Sequence, residues 1–190
     1  GDLEESISFI PKKSTQGLRD WLKKTNLSGL GKHIGITVHG GFGEKSPGIR
    51  KSHDVFVSFD GVSLDYLENW PGVKNAVGTV NANSYSVSME DGRGVLYNTD
   101  LEKVSLLLPL DKRNRIERIE VSILSDGPLN DGIQLLRDTP LKLHTRNIAS
   151  TWKGEGDIVS RTDLLIPMAV NSSEVKVSAE INLSNNFLSI

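Results

Sequence analysis

The sequence predicts a mainly β protein, an antiparallel β-sandwich or jelly-roll-like fold, with two or three short helices at the ends or in loops. Three observations predict it. Apolar and polar residues alternate in many short runs, and a period of two marks strands with one buried face. Clusters of Gly, Pro, Asn and Asp separate the runs, which gives about nine to eleven strands. Strand–helix–strand alternation on the scale of a parallel crossover unit is missing. At 190 residues the chain fits one domain, 1–190, in which residues 1–30 read as a strand plus a helical extension.

The centre of the pattern is the stretch from Lys103 to Leu124, read as two strands facing each other across a basic turn. Val104 to Leu110 is nearly continuous apolar, which predicts cover on both faces. Its partner carries Ile116, Ile119, Val121 and Ile123, and the change of spacing at Arg118 predicts a bulge there. Upstream, Ile7 to Ile10 reads as an edge strand ended by Pro11. A helix capped by Ser14 or Thr15 follows, with Leu18, Trp21 and Leu22 on one face. Ile34 to Val38 and Asp54 to Asp60 alternate as strands, with Asp60-Gly61 as a turn. Ser63 to Trp70 predicts one or two helical turns. Ala76 to Met89 is a long alternating run split near Asn81-Ala82-Asn83-Ser84. Glu90-Asp91-Gly92-Arg93-Gly94 reads as a hairpin turn. Downstream of the central pair, Asn130 or Asp131 is expected to cap a helix ending near Arg137, before Pro140. Leu141 to Thr145 alternates as a strand. Trp152 to Asp157 reads as a polar, glycine-rich loop. Ile158 to Val170 and Val175 to Leu183 are the last strands, joined at Asn171-Ser172-Ser173.

Bulk properties narrow the function classes. Net charge is −2, so no global field favours nucleic acid or an anionic membrane. There is no cysteine, which removes disulfides, thiolate nucleophiles and Cys-ligated metal sites. No apolar run approaches the roughly 20 residues of a membrane-spanning helix, so the chain reads as a soluble domain of unassigned compartment.

Candidate chemistry is sparse. The loop from Gly40 to Gly48 lacks the Gly-Lys-Ser/Thr order of a phosphate cradle, because Glu44 separates Gly43 from Lys45 and Pro47-Gly48 prevents a following helix. Val38-His39-Gly40-Gly41 resembles the oxyanion-hole segment of lipases and esterases of the α/β-hydrolase family. The resemblance covers four residues and implies a nucleophile elbow as well. The nearest string, Gly61-Val62-Ser63-Leu64-Asp65, lacks that motif's last glycine. His33, His39 and His53 sit around two strands, and pairing of those strands would bring His39 and His53 to one end. Trp152, with Lys153 beside it, is the best loop aromatic for stacking on a sugar face, and Trp21 is a possible docking residue of the N-terminal helix. The tract at Lys112, Arg113 and Arg115, with Arg118 beyond, concentrates cations at one hairpin tip.

The function expected from these readings is a non-catalytic binding or assembly domain. It is of the self-associating structural kind found in viral capsid, matrix or movement proteins, its basic tip contacting an anionic partner, either nucleic acid or lipid headgroup. Alternatives are a carbohydrate- or receptor-binding sandwich module and a hydrolase using His39-Gly40-Gly41. The expected partner is another protein or a second copy. The sequence assigns no catalytic residue, no metal ligand and no cofactor.

Overall fold

The computed structural model describes residues 26–28, 31–39, 52–65, 69–113, 115–144, 146–168, 175–183 and 185–190. The expected strand at Ile7–Ile10, the helix carrying Trp21, the Gly40–Gly48 loop and the Asn171 turn lie outside them. The described chain is mainly β, with two short α-helices. In order it forms β1 (Asn26–Ser28), β2 (Gly31–His39), β3 (Ser52–Asp65), β4 (Val73–Ala82), β5 (Ser86–Leu96), β6 (Thr99–Pro109) and β7 (Arg118–Pro128). Then come α1 (Leu129–Asp138), α2 (Leu141–His144), a 3-10 turn (Ile148–Ser150), β8 (Lys153–Glu155), β9 (Asp157–Pro167), β10 (Lys176–Leu183) and β11 (Phe187–Ser189).

Nine strands make one antiparallel sheet in the order β1-β3-β4-β5-β6-β7-β9-β10, with β2 also on β3; β8 and β11 form a separate two-stranded ribbon. From β2 onward each strand of the large sheet lies beside its neighbour in sequence, apart from the excursion of residues 129–156 between β7 and β9, while β1 pairs with the far end of β3. The Greek-key crossings of a jelly roll do not occur among the described strands.

Paired residues of an antiparallel ladder share a face, so the register defines what that face is made of. One row crosses the whole sheet: Ile34 pairs with Val57, Val57 with Val80, Val80 with Met89 and Met89 with Leu106. Leu106 then pairs with Val121, Val121 with Leu164 and Leu164 with Val177. On the same face Ala82, Val87 and Leu108 form a buried cluster, joined by Val80, Leu106, Ile116 and Ile119. The opposite face is the more polar, though Phe56, Val77, Leu124 and Val159 are also exposed on it, and it includes a Ser58 Oγ–Thr79 Oγ1 hydrogen bond of 2.8 Å and one donated by Ser122 Oγ to Asp163 Oδ1. Leu107 points to that side and is 37% exposed. The run Val104 to Leu110 is therefore covered on one face, not two.

Several local signals resolve differently from expectation. Asp60-Gly61 and Asp91-Gly92 are bulges inside the long strands β3 and β5, where the register shifts and Gly61 (φ 68) and Asp91 (φ 56) adopt the left-handed conformation. The local preference for a turn is absorbed by a kink because both flanks keep a partner strand. The hairpin between β5 and β6 lies instead at Tyr97-Asn98. The expected helical turns after Ser63 begin as strand, since β3 continues to Asp65 against β1. Leu141 to His144 is a helix rather than a strand, following directly on Thr139, whose Oγ1 bonds Leu135 O and receives the Leu141 N–H. The bulge expected at Arg118 is present, because the Leu110–Ile116 bridge is one residue out of register with Leu107–Glu120 and leaves an extra residue between Ile116 and Glu120; a second irregularity falls between Leu101 and Lys103. The split near Asn83 occurs as read, with Asn83 Oδ1 accepting from the Tyr85 and Ser86 amides.

The excursion after β7 is fixed by a buried carboxylate. Asp131 is 4% exposed, and α1 has no side-chain cap; its first N–H, on Leu129, goes to Gly156 O. Asp131 instead leaves the helix and accepts from Asn98 N (2.7 Å), Asn98 Nδ2 (3.3 Å) and Thr99 Oγ1 (3.0 Å). These bonds hold a two-residue turn in which Tyr97, not glycine, has φ 55. Gly127 makes the approach possible, since a Cβ there would stand 2.6 Å from the Thr99 Cα. On the far side of α1, Leu129, Ile133 and Ala149 form a second core with Leu136, Trp152 and Ile158.

Replacing Asp131 by Ala leaves the Asn98 amide unpaired, and urea unfolding should show a loss of about 3 kcal/mol. Gly127→Ala should destabilise by roughly 2 kcal/mol through backbone overlap. Gly132→Ala, in α1 with nothing closer than 4.0 Å, should stabilise by about 0.5–1 kcal/mol. Equal effects from the two glycine changes would contradict this packing.

Candidate functional site

Two regions place chemistry on the surface: the tip of the β6–β7 hairpin and the outer edge at β10.

At the tip, Asp111 organises the turn. Its Oδ1 accepts the Arg113 amide at 2.7 Å and the Arg115 amide at 2.9 Å, while its Oδ2 takes Arg115 Nε at 2.9 Å and Nη2 at 2.8 Å. The Asp111 N–H closes the loop on Arg115 O at 2.9 Å. The Arg115 amide holds the Asp111 carboxyl below its ordinary range, with help from the Arg115 side chain and the Arg113 amide. Arg118 bonds Glu120 through Nε at 2.5 Å and lies 3.7 Å from Glu117. Asp111, Glu117 and Glu120 thus answer the cations that the sequence presents as a bare cluster. Among the described residues Lys112 and Arg113 are the two cations of the tip whose side chains make no ion pair, and both are exposed.

The other sequence candidates are dispersed. Trp152 is half-buried against the α1 core, with its Nε1 buried and unpartnered among protein atoms, so it is a packing residue and not the exposed ring expected of a sugar platform. Lys153 is exposed in β8, a strand where a loop is expected. Trp21 lies outside the described residues. The backbone register sets His39 opposite Ser52 and His53 opposite Val38, so the two histidines fall at alternate positions. Ser63 belongs to the other end of β3, paired with Ser28 and about 30 Å along the strand from the Ser52 end. The hydrolase pairing of His39 with Ser63 is not brought together. Among the described residues no group of three or more metal-ligating side chains converges, and no helix is long and apolar enough to cross a membrane.

The outer edge is what the sequence reading passed over. β10 pairs with β9 from Lys176↔Leu165 to Leu183↔Ile158 without a bulge, and every one of its residues is exposed. Among the described strands it has a neighbour on one side only. Val177, Ala179, Ile181 and Leu183 lie on the apolar face of the sheet; Lys176, Ser178, Glu180 and Asn182 lie on the polar face. The face that buries Val55 and Ala82 at β3 and β4 thus ends with Ile181 at 50% and Leu183 at 60% exposed. Phe187, Leu188 and Ile190 continue the apolar exposure beyond it. The available signal is an alternating run from Lys176 to Leu183 with no Gly or Pro to blunt it.

No family model, curated protein or solved structure matches the chain.

Because the Asp111 carboxyl is depressed in the folded state, its contribution to turn order is complete above the ordinary carboxylate range. It is lost as pH falls through the lower folded value. Amide protection at Arg113 and Arg115, corrected for the intrinsic pH dependence of exchange, should be full at about pH 5 and should fall only in acid below the ordinary carboxylate range. Asp111→Asn should lack that protection throughout, and slow exchange in that variant would contradict the role given to the carboxylate.

Proposed function

We propose that this chain is a non-catalytic binding and assembly domain whose association surface is the β10 side of its large sheet. The observation that carries the reading is the change along one apolar face. The face is buried at Val55, Ala82, Val87 and Leu108, half-buried on β7 and β9, and open on β10. An apolar sheet face is stable only under a second layer, and a regular edge strand offers its backbone donors and acceptors to another strand. Both requirements are met when the β10 side is covered by protein. A sandwich-like arrangement belongs to the same proposal, because the buried β3–β6 part of the face needs a facing layer.

The exposed cations Lys112 and Arg113, held on a turn ordered by Asp111, are the part of the basic tip suited to an anionic group. They serve the assembly reading as an accessory contact.

Sedimentation velocity across a concentration series should show reversible association. Ile181→Lys should abolish it while shifting unfolding by no more than about 0.5 kcal/mol, since the site is half-exposed already. A wild-type chain that stays monomeric up to hundreds of micromolar would overturn the proposal.

A further inference from the structure

We infer that two copies of the chain join by antiparallel pairing of β10 with β10, in the register that sets Ser178 opposite Ser178, so that the two large sheets run on as one. The inference rests on the association reading above and adds its partner and geometry.

The edge is built for pairing. Natural edge strands are blunted by bulges, prolines or several inward charges. β10 has eight regular pairs with β9, no Gly or Pro, and one lysine at its first position. Two copies of an edge strand meet antiparallel about a two-fold axis normal to the sheet. Such an axis keeps the apolar face on one side only when a residue stands opposite its own copy, because side chains alternate with period two. The centre must therefore fall on a residue, and the sequence of β10 selects which one.

Centring on Glu180 sets like charges against each other, which is unfavourable. Centring on Ala179 aligns Val177 with Ile181 but leaves Lys176 opposite Asn182 and Glu180 opposite Ser178. Centring on Ser178 places Lys176 opposite Glu180 of the second copy, and symmetry makes that pair twice. The same register sets Val177 opposite Ala179 and Val175 opposite Ile181, so the apolar face continues across the junction. Lys176 and Glu180 are both exposed on the polar face of the isolated chain, where each is available to the second copy.

The chain has no cysteine, so one introduced thiol reports its own neighbour. Ser178→Cys should oxidise rapidly to a disulfide-linked dimer, because self-opposed residues of an antiparallel pair lie about 4.5–5.5 Å apart between Cα atoms. Ala179→Cys, displaced by two residues from its own copy, should cross-link much more slowly. Lys176→Glu alone and Glu180→Lys alone should each raise the dimer dissociation constant about tenfold, and the double reversal should restore it. Circular dichroism checks that each variant keeps its sheet content. Association that persists without preferential Ser178→Cys linkage and without charge-swap rescue would overturn this register while leaving the assembly reading intact. A strictly monomeric wild-type chain would overturn both.

Discussion

The structure depends on one apolar face that must be covered along its whole width. A nine-stranded meander satisfies its backbone hydrogen bonds strand by strand, and that requirement places no limit on the number of strands. What gives the sheet a preferred side is the row from Val57 through Val80, Met89, Leu106, Val121 and Leu164 to Val177, repeated on each side by neighbouring apolar rows. A slip of one residue in any ladder would turn that strand's apolar set to the polar side, so the face also fixes the register. Where two strands need an extra residue, at Gly61 and near Gly92, bulges take up the difference and restore the alternation.

The excursion between β7 and β9 answers a second constraint. A strand that leaves the sheet and returns beside itself must anchor what lies between, and here a small helix does so through one carboxylate. Asp131 gives up the usual capping role and ties α1 to the β5–β6 turn, where Tyr97 adopts a backbone conformation that usually needs glycine. The turn and the helix therefore depend on each other. Trp152 follows from the same packing: β8 crosses α1 closely at Gly154, and the indole packs against the cluster of Leu129, Ile133 and Ala149.

Much of this was legible in the sequence. The alternating runs gave the β class, most strand positions, the turn at Asn83 and the helix before Pro140. The misreadings share a cause: they took strong local signals to be final. Asp91-Gly92 is a good hairpin turn in isolation, but flanking residues with partners on both sides make it a bulge. Leu141 to His144 alternates as a strand would, yet Thr139 continues the chain into another helical turn. The basic tip looked unbalanced because sequence distance does not show that Asp111 folds back on Arg115, or that Arg118 bonds Glu120 two residues on. The β10 edge was missed for the opposite reason. Its alternation was read correctly as a strand, but pattern alone does not say which strand ends a sheet.

Assembly of this chain turns on whether a second molecule covers the β10 edge. Hydrogen exchange of the amides from Lys176 to Leu183, measured at several protein concentrations, tests it most directly. Exchange in this segment should slow as concentration rises, while β4 and β5 exchange at a constant rate. A rate in β10 that is independent of concentration would contradict the account.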